Sequence, residues 1–256
     1  MKLKYTLLLI SYFLVVSAQS QKIDRISIQV GYDLHFYEMN QINSALANGF
    51  LENQLDSEGF NINDGNSFKF NLAYHPTELF DIGIYGGYQF AKKNSTPSFY
   101  KMDEYNLPIK ECEGRHELRT EAITFGIGNT WYIDNALDFQ TKGSYLSRFH
   151  FGIELNAGIG FSKIISDLQP PNGVIEPKEY LYFTSQDFHG QVGLKFEYDF
   201  TKQPIFSTLG IRGGYQYFVT KTVKDRLDNE WIVQGENPIN LDFSGLYFGV
   251  YLKFGK

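Results

Sequence analysis

Apolar side chains recur at every second position in eight stretches of this 256-residue chain, and the residues between them are small, polar or charged. That period of two is the signature of a β-strand with one apolar face. The first stretch covers about 25–37, setting Ile26, Ile28, Val30, Tyr32, Leu34 and Phe36 against Ser27, Gln29, Gly31, Asp33 and His35. The second places Phe68, Phe70, Leu72 and Tyr74 opposite Lys69, Asn71 and Ala73. In the third, Phe80, Ile82, Ile84, Tyr88 and Phe90 oppose Asp81, Gly83, Tyr85, Gly87 and Gln89. The fourth, with Ile123, Phe125, Ile127 and Trp131, carries Asn129 on its apolar face. The fifth runs unbroken from Phe149 to Phe161. The sixth and seventh carry Val192, Leu194, Phe196, Tyr198 and Phe200, then Leu209, Ile211, Tyr215 and Tyr217. The eighth, 242–254, sets Leu246, Phe248, Val250, Leu252 and Phe254 against Gly245, Tyr247, Gly249, Tyr251 and Lys253.

The links between these stretches alternate in length. Those after the second and sixth, near 75–79 and 201–204, are short, and the one after the fourth, 134–147, is intermediate. Those after the first, third, fifth and seventh, roughly 38–66, 92–117, 164–188 and 221–240, are long. Short turns at one end and long loops at the other predict an all-β, antiparallel, up-and-down barrel of eight strands. Segments 179–183 and 231–233 either extend the sixth and eighth strands or pair as two further strands, so ten is the alternative count.

Alternation alone does not say which face is outside, because a soluble barrel has the same period with its apolar side inward. The less apolar face carries glycine on most stretches. Glycine packs nothing and weakens an exposed strand, whereas a narrow, crowded interior has room for small residues beside tyrosines and a few charges. The apolar, aromatic-rich face is therefore expected to meet lipid.

Residues 247–254 resemble the C-terminal insertion signal of bacterial outer-membrane β-barrels. Tyr247, Gly249, Leu252 and Phe254 occupy its defining places, although Tyr247 is only half polar and Gly255 and Lys256 follow the aromatic residue. With the strand pattern, the chain resembles the small eight-stranded OmpA/OmpX-type outer-membrane barrels. The resemblance implies a monomeric transmembrane barrel in the Gram-negative cell envelope, surrounded by outer-membrane lipids and inserted by the barrel-assembly machinery. It implies periplasmic termini and long extracellular loops that meet an extracellular or envelope partner. It transfers no catalytic residues.

The N-terminus adds export. Lys2 and Lys4 precede an apolar run over 5–16, and Val16-Ser17-Ala18 fits a signal-peptide cleavage site. The expected organisation is a Sec signal peptide over 1–18 and a barrel domain over 19–256. Aromatics at 17% of residues suit a barrel with aromatic girdles. Removing Lys2 and Lys4 takes the net charge from -6 to -8, which argues against a nucleic-acid partner. The lone Cys112 forms no intramolecular disulfide, and no Cys/His spacing resembles a metal site, so no cofactor is expected.

Candidate chemistry lies on the inner face and in the loops. Glu154, Lys195, Glu197 and Arg212 point inward on neighbouring strands at similar expected depths, and are expected to pair across a plugged, non-conducting lumen. The same charges would form the selectivity ring of a narrow transport pore, the alternative reading. In the first long loop, Met39, Ile42, Leu46 and Phe50 fall at helical spacing, read as a short helix on the rim. The acids Glu38, Glu52, Asp56, Glu58 and Asp64 around them suggest a docking or cation-binding surface. A further alternative is an outer-leaflet lipid hydrolase or acyltransferase using His35, His116 or His189 with Ser162 or Ser185. Cys112 sits between Glu111 and Glu113, which disfavours an activated thiolate. The leading expectation is a non-enzymatic barrel that is structural or binds partners through its loops.

Overall fold

The computed structural model describes residues 25–44, 61–102, 108–136, 145–172, 179–200, 206–232 and 238–255. Among these are ten strands: β1 (Ile26–Tyr37), β2 (Asp64–Thr77), β3 (Phe80–Ser95), β4 (Ser98–Met102), β5 (Pro108–Glu113), β6 (Arg115–Tyr132), β7 (Phe149–Gln169), β8 (Glu179–Asp199), β9 (Thr208–Tyr217) and β10 (Gly245–Phe254). Eight of them close into one antiparallel barrel in the order β1-β10-β9-β8-β7-β6-β3-β2. Every neighbour in the ring is the preceding or following strand of the ring, as an up-and-down barrel requires. The seam between β10 and β1 runs from Ile28 opposite Phe254 to Tyr37 opposite Gly245. Among the described residues helix is confined to short pieces, including α1 (Ile133–Ala136) and a 3-10 turn, Tyr145–Arg148, both between β6 and β7 in the chain.

The two extra strands arise elsewhere than the pattern suggested. β4 and β5 pair only with each other and form a hairpin between β3 and β6. Segment 179–183 is the first part of β8, whereas Trp231 belongs to no strand and stacks on Phe183, with ring centroids 4.8 Å apart. Val233 lies outside the described residues, as do the expected signal peptide, Leu46, Phe50, Glu52, Asp56 and Glu58.

Two of the expected long loops are largely strand. β3 and β6 stay paired to Ser95 opposite His116, and β7 and β8 to Leu168 opposite Glu179. β2 leaves β3 much earlier, at Asn66 opposite Phe90. The barrel therefore has one tall wall, β3-β6-β7-β8, and one short wall. Along the tall wall the polarity inverts. In the ring proper the outward residues are apolar, Ile84 at 60% exposure and Leu194 at 66% for example, and the inward ones are polar. Above it, Lys92, Arg119 and Lys163 face outward while Ala91, Leu118, Ala122, Ile164 and Phe183 are buried inside. The reversed phase hid the upper parts of β3, β6 and β7 from a search for the lower pattern, whereas 179–183, read as an extension of the sixth stretch, is the start of β8.

The buried apolar residues form a core at the loop end. Met39 and Ile42 from the chain after β1, Ile62 before β2, and Phe218, Val223, Ile239, Leu241 and Phe243 between β9 and β10 pack against the inner face of the tall wall. Met39 and Ile42 thus sit inside this cap, at the start of a helical segment over 40–44. Each such side chain removed from water contributes roughly 1.5–3 kcal/mol, so the cap is held by ordinary hydrophobic burial. The Phe218 ring lies so close to β7 that a Cβ at Gly160 would come within 2.3 Å of it, so this approach needs glycine.

Candidate functional site: the lumen charge network

Strand alternation delivers a polar side chain to the lumen at every second residue, and closure by eight strands leaves a space that side chains fill. Nearest the turn end, Lys253 on β10 donates to Tyr132 Oη at 2.8 Å and to Glu197 Oε2 at 3.2 Å. Tyr251 donates to the other Glu197 oxygen at 2.7 Å. Tyr132 in turn donates to Asp81 Oδ2 at 2.8 Å, with the Lys253 ammonium 3.7 Å from the same oxygen.

The next level holds two cation–carboxylate groups. Arg212 on β9 grips Asp33 on β1 with two hydrogen bonds, 2.7 and 2.8 Å. This fork-to-fork geometry is the strong form of the pair. Lys69 on β2 reaches across to Glu154 on β7 at 2.9 Å and to Gln191 at 2.6 Å. Lys195 lies 3.5 Å from the second Glu154 oxygen and donates to Gln29 and Thr130. Above these, Gln89 donates to Gln216 at 2.7 Å, Gln216 donates to the carbonyl of Phe243 at 2.9 Å, and Tyr85 bonds His189 Nδ1 at 2.7 Å. The network thus joins the apolar cap without a break in side-chain contact.

The four charges singled out from sequence are all buried in the lumen, but they do not form one ring. Glu154 and Lys195 meet each other; Arg212 binds Asp33; Glu197 binds Lys253 one level nearer the turns. The strand register sets Lys195 directly opposite Arg212, with Glu154 opposite Gly193 and Glu197 opposite Gly210. The partners Asp33, Lys69, Asp81 and Lys253 were on the inward face of the alternation. The expectation looked along neighbouring strands, where Glu154 on β7 and Lys195 on β8 do meet, whereas Arg212 reaches Asp33 two strands round the ring and Lys69 reaches Glu154 across the lumen from β2.

The C-terminal signal residues divide between the two faces of β10. Leu252 and Phe254 point outward, and Tyr247 points inward, stacked on His35 at 5.8 Å. Gly249 faces Asp33, and a Cβ there would stand 1.9 Å from the Asp33 carboxylate and 2.5 Å from a backbone oxygen. In the structure this glycine therefore makes room for the Asp33–Arg212 pair.

The expected serine and histidine candidates are not brought together. Ser162 and Ser185 donate to backbone carbonyls, of Ser185 and Lys221. His35 bonds Ser67, His116 bonds Ser166, and His189 lies between Tyr85 and Gln216. Of the first-loop acids, Glu38 accepts from Tyr215 at 3.5 Å and Asp64 pairs with Lys93 at 3.1 Å across β2 and β3. On the tall wall, hydrogen bonds from Lys92 and Arg115 hold the Glu117 carboxyl below its usual range. Cys112 is partly exposed on the hairpin, opposite Phe99. Among the described residues no group of His, Cys, Asp and Glu is placed to hold a metal.

At the turn end the lumen opens into a polar cavity of about 600 Å³, lined by residues that include Arg25, His75, Asp81, Asp199, Thr208 and Lys253. Sequence reading did not single out His75. It lies near the end of β2, beside the short turn to β3, where the sequence carries no motif.

No family model and no curated protein matches the chain. Among solved structures, it is similar to Ail, the attachment invasion locus protein of Yersinia pestis, in complex with the heparin analogue sucrose octasulfate: 10% identity, 90% of this chain, 98% of that chain, TM-score 0.39. Similar too are the outer membrane protease OmpT of Escherichia coli, at 10% identity, 93% and 99% coverage and TM-score 0.38, and Neisserial surface protein A, at 9%, 90% and 97%, and 0.35.

Proposed function

We propose that the chain is an outer-membrane barrel that does not conduct and that presents its loop end, the tall wall with its hairpin and apolar-cored cap, to a partner outside the cell. The observation that carries this reading is the reversal of polarity along one wall. A ring with apolar residues outside and ion pairs inside suits a bilayer, where a lipid-facing charge is costly. The upper wall, with charges outside and an apolar core inside, suits water. The two meet where Phe161 gives way to Lys163 on β7 and Ile123 to Glu121 on β6, and Lys163 and Glu121 pair at 2.9 Å there. The turn end and both chain ends then face the periplasm.

Cys112, the one cysteine of the chain, tests the orientation. A membrane-impermeant maleimide should label it on intact cells. Labelling that needs a permeabilised outer membrane would reverse the barrel and remove the loop end as a display surface. For the role itself, a barrel with residues 98–113 replaced by a short turn should insert normally yet fail to restore the adhesion or envelope-integrity phenotype of a deletion strain. Full restoration would take the hairpin out of the binding surface.

A further inference from the structure

On the outside of the barrel, a groove of about 330 Å³ crosses the tall wall where its two polarity patterns meet. Its lower side is apolar, made by Ile123 on β6 and Phe161 on β7, both exposed. Its upper side is polar and includes Glu121, Lys163 and Thr184, with Tyr88 on β3 and Tyr182 on β8. Those two tyrosines stand on the first and last of the four strands, about 14 Å apart along the wall at three strand spacings. On β8 the polar run reaches one step lower than on β7, because Gln186 is the partner of Phe161 and Thr184 that of Lys163.

We propose that this groove seats the anionic, phosphate-bearing headgroup of one bilayer lipid, with an acyl chain running down over Ile123 and Phe161. The divided lining selects an amphiphile. A soluble polar ligand would leave the exposed apolar side unused, and an acyl chain alone would cover Lys163 and Glu121 without offering them a polar partner, which is costly. The apolar track also continues below the groove. Phe125, the next outward residue on β6, stacks on Phe161 with ring centroids 5.8 Å apart, and Ile159 is exposed beneath Phe161 on β7.

Charge selects the headgroup. Glu121 is the only acid among the described residues of the lining, and it is already engaged by Lys163 at 2.9 Å, Arg119 at 3.2 Å and the Tyr88 hydroxyl at 2.8 Å. One carboxylate between two cations leaves positive charge in excess. The Lys163 side chain is 37% exposed, and its ammonium has further N–H groups beyond the one turned to Glu121, so it can meet a phosphate oxygen from the groove.

A second cation arrives from a different element. Arg226, in the chain between β9 and β10, lies over the ring of Tyr182, 5.4 Å from its centroid. Two backbone hydrogen bonds between Lys224 and Thr184, 2.8 and 2.9 Å, tie that segment to β8 beside the groove. The nearest acids in sequence are occupied: Asp225 accepts from the backbone of Leu227 and Asn229, and Asp228 pairs with Lys224 at 3.1 Å. Arg226 thus has no carboxylate partner among the described residues, and its planar N–H fork matches phosphate oxygens. This site presupposes the membrane boundary drawn above but not the orientation of the barrel.

The test uses the full barrel, released by mild detergent from vesicles of equal parts phosphatidylcholine and phosphatidylglycerol, with retained lipid counted by native mass spectrometry. One phosphatidylglycerol should stay bound, preferred about tenfold or more over the zwitterionic lipid, because each cation near the headgroup favours the anion. Lys163→Ala and Arg226→Ala should each lower that preference about fivefold, one cation's share, with Lys163→Arg retaining it. Arg115→Ala, on the same wall but outside the groove, should change nothing. Excess inorganic phosphate should not displace the lipid, since it brings no chain. Equal retention of the two lipids, displacement by phosphate alone, or an equal loss in Arg115→Ala would overturn the proposal, and the wild-type preference decides by itself if a variant does not fold. A barrel whose Cys112 labels as expected but which shows no lipid preference removes this site and leaves the display role standing.

Discussion

A single buried charge in this lumen is costly unless it is paired, so each ion pair is held by necessity. Glu154 illustrates this, because one carboxylate faces both Lys69 and Lys195. Glu154→Gln leaves two ammonium groups without a counter-charge. It should lower unfolding stability by about 3–5 kcal/mol, measured by urea titration in lipid vesicles. A double variant, Lys69→Met with Glu154→Gln, should recover part of the loss, since the cost comes mostly from the stranded partner. A double-mutant cycle with no coupling would mean that the pair is hydrated. Strand alternation placed all of these charges on the inward face, so their burial was legible. Of the Glu154 partners, Lys195 on the next strand was legible as well, whereas Lys69 was not, because sequence order does not show which residues meet across the lumen.

Strands as whole elements explain which boundaries could be read. The lower parts of β1, β7 and β10 follow one rule, apolar out and polar in, and their extent was evident. The upper parts of β3, β6, β7 and β8 obey the opposite rule, so Lys92, Arg119 and Lys163 look like loop residues until the wall is seen. The reversal gives a facing prediction. Arg at Ile153 or Leu194, on the lipid face of the ring, should cost about 2–4 kcal/mol near the bilayer midplane. Arg at Thr184, outward on the upper part of β8, should cost roughly 0–1 kcal/mol, and equal costs at the two heights would contradict the assigned membrane boundary. The C-terminal strand adds an assembly prediction. Phe254→Asp should impair insertion, because an outward aromatic at the end of β10 pairs opposite Ile28 at the seam. Normal levels of heat-modifiable, membrane-embedded Phe254→Asp protein would detach residues 247–254 from the insertion-signal role.

For the whole molecule, the path of an ion through the barrel meets two different obstacles. From the turn end it enters the open cavity, then reaches Lys253, Glu197 and Tyr132, which are bonded to one another. Beyond them lie the Arg212–Asp33 and Lys69–Glu154 pairs and the linked glutamines Gln89 and Gln216. Past these it faces Phe218 and Phe243, stacked at 5.3 Å in the apolar cap. The polar network alone is a weak seal, since charged side chains can exchange partners with water. An apolar core in series makes hydration of the path costly. The refolded barrel should therefore be electrically silent in planar bilayers. Lys195→Ala should stay silent as well, and act mainly by lowering stability, because removing one lumen charge leaves the cap intact. Steady single-channel conductance, with an ion preference that changed on substituting Lys195 or Arg212, would overturn the plugged reading and make the lumen charges a selectivity ring.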